Sequence, residues 1–163
     1  MLMAVASICF AQGGSAAVVS RNTLIGTWRL VSVETLRPGG EISHEWMGRN
    51  PAGLIIYDPT GHMSVQIMRD PRPTFEAGRN RPEAPEEFKA AYQGYYAYFG
   101  TYEVNEADGM ILHRVRASLW PREVGIEYRR HVVLTGDRLV LTTPPFQAAG
   151  EQRRNQLTWE RVR

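Results

Sequence analysis

Gly53-Leu54-Ile55-Ile56-Tyr57-Asp58-Pro59-Thr60-Gly61-His62-Met63-Ser64-Val65-Gln66 is the stretch on which the fold turns. Two runs of β-branched and aromatic residues flank a turn in which proline fixes φ and glycine accepts a positive one. The segment therefore reads as two antiparallel strands joined by a tight hairpin. The same pattern continues in both directions. Upstream lie runs over Ile25 to Leu36 and Ile42 to Trp46; this pair covers Gly53 to Tyr57 and Met63 to Met68. Downstream come Thr101 to Val104, Met110 to Ser118, Gly125 to Leu134, Arg138 to Thr143 and Gln156 to Val162. Arg37-Pro38-Gly39-Gly40, Ala107-Asp108-Gly109 and Thr135-Gly136-Asp137 supply the intervening turns. Short links make sequence neighbours antiparallel. Runs of this kind without βαβ helices predict an up-and-down meander that closes into a barrel or folds into a sandwich.

A chain of 163 residues, 43% apolar and 22% charged, is one ordinary globular domain, which excludes a disordered chain, a collagen and a transmembrane bundle. Its 19 basic and 17 acidic residues leave a net charge of +2 with no basic stripe, so no nucleic-acid partner is expected. Almost all the positive charge is arginine, Lys89 being the only lysine, and the arginines do not cluster.

Residues 1–17 read as a signal peptide: an uncharged apolar run from Leu2 to Phe10, then small residues ending in Ser15-Ala16-Ala17. The run lacks an Arg or Lys before it, which leaves a simple N-terminal tail as the alternative. The chain is accordingly expected to be exported, periplasmic or secreted, if the leader is genuine, and cytoplasmic otherwise. No membrane insertion of the mature chain is expected. The single cysteine, Cys9, lies in the leader, so a mature chain has no disulfide, thiolate nucleophile or Cys-ligated metal.

The stretch from Arg69 to Pro85, with its four prolines, predicts an irregular surface loop. After it, Pro85, Glu86 and Glu87 suit a helix N-terminus, and Phe88, Tyr92, Tyr95, Tyr96 and Phe99 recur at helical spacing. This predicts one amphipathic helix, reaching Phe99, that packs its aromatic stripe against an end of the barrel; the alternative is that some of its tyrosines line a ligand cavity with their hydroxyls available, and both hold if the helix closes a cavity.

Gly26-Thr27-Trp28 opens the first strand, and Leu157-Thr158-Trp159-Glu160-Arg161 closes the last. Together with the Gly53 to Gln66 hairpin, Ala97-Tyr98-Phe99-Gly100-Thr101-Tyr102-Glu103-Val104 and Gly136-Asp137-Arg138-Leu139-Val140-Leu141, these blocks make residues 24–163 resemble the lipocalin-like domain family of bacteria and fungi. The resemblance implies a mainly β, antiparallel, up-and-down barrel of about eight or nine strands around an internal cavity. It also implies structural roles for Trp28 and Trp159, and for Arg161 as the arginine lying across the first-strand tryptophan. The fold leaves activity to be argued from the site.

Strand alternation nominates the side chains facing that cavity, although a shift of one register reverses each face. Within the first strand, Leu30 and Ser32 oppose Val31 and Val33. His113 shares the apolar parity of Ile111 and Val115, as a structural histidine, a polar anchor, a general base or a haem ligand. Arg130 shares the parity of Tyr128 and Val132. Buried, it needs a partner: a ligand carboxylate, or Glu34 or Glu103 with packing on Trp28 or Trp159. Ser64 and Gln66 join Tyr57 if the polar face of their strand turns inward, and form a solvated face if it turns outward. The candidate ligand-binding set is Tyr57, Ser64, Gln66, Tyr98, His113 and Arg130. His44, His62, His113 and His131 fall on four different elements, without metal-ligand spacing, and no cofactor or nucleotide motif occurs. The expected function is binding of a small, largely apolar molecule. Two alternatives stand beside it: an isomerase or cyclase acting on a polyketide- or terpenoid-like molecule, and a structural or stress-related envelope protein with a filled barrel. Only the last requires the absence of a cavity. Ligand identity and oligomeric state are open at this level.

Overall fold

The computed structural model describes residues 19–72, 75 and 81–163; the leader and much of the proline-rich loop lie outside the described residues. A one-turn helix α1 (Arg21–Leu24) precedes β1 (Gly26–Leu36), β2 (Ile42–Ser43), β3 (Ala52–Tyr57) and β4 (His62–Met68). Helix α2 (Pro85–Gln93) leads into β5 (Tyr95–Asn105), β6 (Met110–Ser118), β7 (Glu127–Thr135), β8 (Arg138–Thr142), β9 (Phe146–Ala148) and β10 (Glu151–Arg161). Every strand pairing is antiparallel, in the order β2-β1-β3-β4-β5-β6-β7-β8-β10-β9, and pairing of β1 with β10 closes the sheet. Eight strands thus form a barrel, with β2 and β9 as short extra strands at one rim. Closure removes the two long free edges that an open sheet of this kind would expose.

The opposite end is sealed by the residues that carried the family resemblance. Trp28 is fully buried, and its indole N–H donates to the Leu24 carbonyl at 2.9 Å. The Arg161 guanidinium lies 4.0 Å from the Trp28 ring and donates to the carbonyls of Ile25 (3.0 Å) and Thr23 (2.6 Å). Gly26 is required beneath it: φ is +134°, and a Cβ there would stand 3.1 Å from Arg161. Helix α1 belongs to this plug, its Ser20 and Thr23 side chains capping each other's backbone N–H groups while Leu24 is wholly buried.

Three expectations need correction. The helix ends at Gln93, and Tyr95, Tyr96 and Phe99 belong to β5. Phe88 and Tyr92, the remaining rings of the stripe, are exposed, and α2 has no buried residue. The aromatic segment satisfies two periods at once. Pairing of Tyr95 through Thr101 with β4 selects the strand period, turning Tyr96, Tyr98 and Tyr102 inward. In β4, Met63, Val65 and Ile67 are buried, so Ser64 and Gln66 face outward, where the Gln66 amide donates to the Ser64 hydroxyl at 2.6 Å. Hydrophobic burial decided that strand's parity against the placement of both residues in the cavity. In β1, a bulge between Leu30 and Ser32 resets the alternation, so Leu30 and Val33 are both buried.

Candidate functional site

The barrel is not filled. A cavity of about 1100 Å³ opens at the rim remote from Trp28, and its walls include Ile55, Val65, Ile67, Leu141 and Leu157. Trp46, Trp120 and Phe146 stand among the lining residues, with Trp46 and Trp120 both packed against Tyr96 at centroid distances of 5.4 and 4.6 Å. Apolar walls with a few polar groups match the general make-up of small-molecule sites, and the volume is near the upper end of the ~300–1,000 Å³ common for them.

The polar groups form two clusters. In the first, His113 on β6 is fully buried, with Nδ1 2.8 Å from the Tyr98 hydroxyl and Nε2 2.9 Å from the Tyr57 hydroxyl. Burial, with the Arg130 charge as a second cause, pushes the imidazole pKa down to about 3, so His113 is neutral at physiological pH. Burial and the neighbouring Tyr98 hold the Tyr57 phenol well above the usual range. Burial pushes Tyr98 up to about 12, while Arg130, through its charge and a hydrogen bond, pulls the other way. Three of the six nominated residues, Tyr98, His113 and Arg130, line the cavity, and Tyr57 supports them from behind through His113. Both nitrogens of His113 are occupied by tyrosines. That geometry suits neither a haem ligand nor, with so low a pKa, a general base at neutral pH.

Arg130 keeps the inward parity of β7, half-buried, with its guanidinium 4.7 Å from the Tyr128 ring centroid. One N–H donates to the carbonyl of Arg129 at 2.8 Å. Neither Glu34 nor Glu103 pairs with it: Glu34 accepts from Gln156, and Glu103 pairs with Arg114 on the outer face at 2.8 Å. Among the described residues, Arg130 has no carboxylate within ion-pair distance. Trp159 is another exception in the same cavity. It is buried, and its indole N–H has no acceptor among the described residues.

The second cluster escaped the sequence reading. Glu123, in the short helical turn Pro121–Glu123, is buried, and its carboxylate accepts from the Tyr96 hydroxyl at 3.1 Å to each oxygen and from Ser118 Oγ at 2.6 Å. Burial holds the Tyr128 phenol above its ordinary range, and contact with Glu123 adds to this. A lone glutamate after Trp120-Pro121 carries no pattern by which to be found. Tyr128 and Tyr96 were visible as inward-parity or aromatic residues, but the carboxylate that joins them was not.

A closed eight-stranded antiparallel barrel, sealed by a tryptophan–arginine pair at one end and open to a cavity at the other, defines a lipocalin-like barrel. The chain belongs to the lipocalin-like domain family, whose match spans residues 25–162. It is also similar to a protein of Aspergillus oryzae named 4'-hydroxy-3'-methoxypropiophenone carrier protein, with 31% identity over 107 residues, covering 61% of this chain and 96% of that protein. No helix among the described residues is long and apolar enough to cross a membrane.

Proposed function

We propose that this protein binds and carries a small, largely apolar aromatic molecule of the phenolic aryl ketone class. The observation that carries the reading is the cavity itself: about 1100 Å³ of space walled by aliphatic and aromatic side chains, with Tyr98 and Arg130 among the residues that line it. A barrel serving as an inert envelope component would be filled with its own side chains, since voids forfeit packing energy. Carriage is favoured over isomerisation or cyclisation because the histidine of the site is locked between two tyrosines and cannot take a proton at neutral pH. The name of the fungal relative, a carrier of a hydroxylated, methoxylated propiophenone, supports the ligand class.

The test is a titration of tryptophan fluorescence with 4'-hydroxy-3'-methoxypropiophenone, alongside native mass spectrometry of protein purified from its own host. Trp46, Trp120 and Trp159 line the cavity, so saturable quenching with one ligand per chain is expected, together with a retained mass in the aromatic-ketone range. Absence of saturable binding, with a long-chain fatty acid binding instead, would contradict the ligand class.

A further inference from the structure

The direction of the hydrogen bonds around His113 follows from burial. Tyr57 is fully buried, is not among the cavity-lining residues, and has His113 Nε2 as the hydrogen-bond partner of its hydroxyl. If Nε2 carried the imidazole proton, the Tyr57 proton would be left in a dry interior without an acceptor. Tyr57 therefore donates to Nε2. The neutral imidazole then carries its proton on Nδ1 and donates it to the Tyr98 oxygen. Tyr98 is left with an O–H whose proton has no acceptor among the described residues, on a side chain that lines the cavity. Arg130 lies beside the same oxygen.

Tyr98 and Arg130 thus offer two donors to one space. The groups that face it complete the electrostatic picture: Tyr96 and Tyr98 from β5, His113 from β6, Tyr128 and Arg130 from β7, and Glu123 from its turn, with Glu45, Arg69 and Arg153 also lining it. Glu123 is already held by Tyr96 and Ser118, and its influence reaches Tyr128 more strongly than that of Arg130 does. At the Tyr98 oxygen the order is reversed, and Arg130 dominates. One pole therefore favours negative charge on whatever approaches Tyr98.

We propose that Tyr98 and Arg130 form an oxyanion subsite that takes its ligand as the anion, an acidic phenol whose charge is delocalised into a para acyl group. This rests on the reading that the cavity binds a phenolic aryl ketone. On entry the phenol releases its proton to solvent; its oxygen, or the acyl oxygen that shares the charge, accepts from the Tyr98 hydroxyl and the guanidinium. Neutral Tyr98 donates without losing its own proton, because burial keeps that phenol far less acidic than the ligand's.

The probe is 4'-hydroxy-3'-methoxypropiophenone, whose ionised form absorbs at longer wavelength than its neutral form. Absorption spectra are recorded across pH with excess protein, for the wild type and for Arg130→Leu, Tyr98→Phe and Arg130→Lys, each checked for fold by circular dichroism. The phenolate band is expected to appear at least one pH unit lower when the ligand is bound, a tenfold or greater preference for the anion. Arg130→Leu should lose most of that shift, and Arg130→Lys should keep part of it. The 4'-O-methyl analogue, which cannot ionise, should bind wild type at least tenfold more weakly. A ligand that binds with its phenol still neutral, or an analogue that binds equally well, overturns the oxyanion subsite and leaves the carrier reading intact. A failure of wild type to bind the phenol at all overturns both. Should Arg130→Leu not fold, the wild-type pH shift and the analogue decide the question alone.

Discussion

The barrel contains two arginines that stack on aromatic rings, and the two are treated differently. At the sealed end, Trp28 and Arg161 have their hydrogen-bonding capacity used by the protein: the indole donates to Leu24, and the guanidinium donates to Ile25 and Thr23 while stacking on the tryptophan. Along the cavity, Arg130 gives one N–H to a neighbouring carbonyl and stacks on Tyr128, with no carboxylate partner among the described residues. On the proposed reading, the difference separates an arginine that holds the barrel from one that serves a ligand. The arginines of the outer face make the contrast sharper. Arg29 meets Glu160 at 2.6 Å and Arg114 meets Glu103 at 2.8 Å, showing that carboxylate partners for arginine are common in this fold where no ligand is served.

The comparison breaks most easily at the sealed end. Trp28→Ala should destabilise the barrel by about 3–5 kcal/mol, as truncation of a large buried aromatic does. Urea unfolding measures this, and an unchanged midpoint would show that the plug does not support the fold. The next largest effect is expected from acid. The folded His113 pKa, about 3, lies below the ordinary value of 6.5, so the unfolded chain binds the proton more readily. The stabilising contribution is complete above pH ~6.5 and is lost progressively as the pH falls toward ~3, amounting to roughly 5 kcal/mol at most. His113→Gln should flatten that part of the stability–pH curve relative to wild type, as read by denaturant melts at successive pH values. A curve that keeps its wild-type slope in the variant would assign the acid sensitivity to the carboxylates instead.

How much of this was legible in the sequence depends on which forces decide each feature. The hairpin turns depend on local turn chemistry and were readable from the residues, whereas closure of the barrel and the Trp28–Arg161 plug were legible only through the family resemblance. Parity was readable where one face is plainly apolar, as for His113 between Ile111 and Val115. It failed where the polar and apolar faces of β4 each offered a sensible use: Ser64 and Gln66 could serve a ligand, but Met63, Val65 and Ile67 had more to gain from burial. The bulge in β1 was invisible because an inserted residue leaves no compositional trace. Helix α2 was extended too far because its aromatic residues fit both periods, and the choice between them is made by β4, a partner distant in sequence. The Glu123 cluster was not readable at all, since it is assembled by one turn and two strands around a single carboxylate.

The central claim is that the arginine in the cavity serves the ligand while the arginine at the plug serves the fold. The most direct test removes each in turn, measuring urea stability and affinity for 4'-hydroxy-3'-methoxypropiophenone in the same preparations. Arg161→Leu should cost about 2–3 kcal/mol of stability, because charged hydrogen bonds to two backbone carbonyls are lost, and should leave affinity within about twofold. Arg130→Leu should change stability by less than about 1 kcal/mol and weaken binding at least tenfold, equivalent to about 1.4 kcal/mol. If instead Arg130→Leu unfolds the barrel while binding in the residual folded fraction is unchanged, the unpaired guanidinium belongs to the fold, and the division between the two ends is wrong.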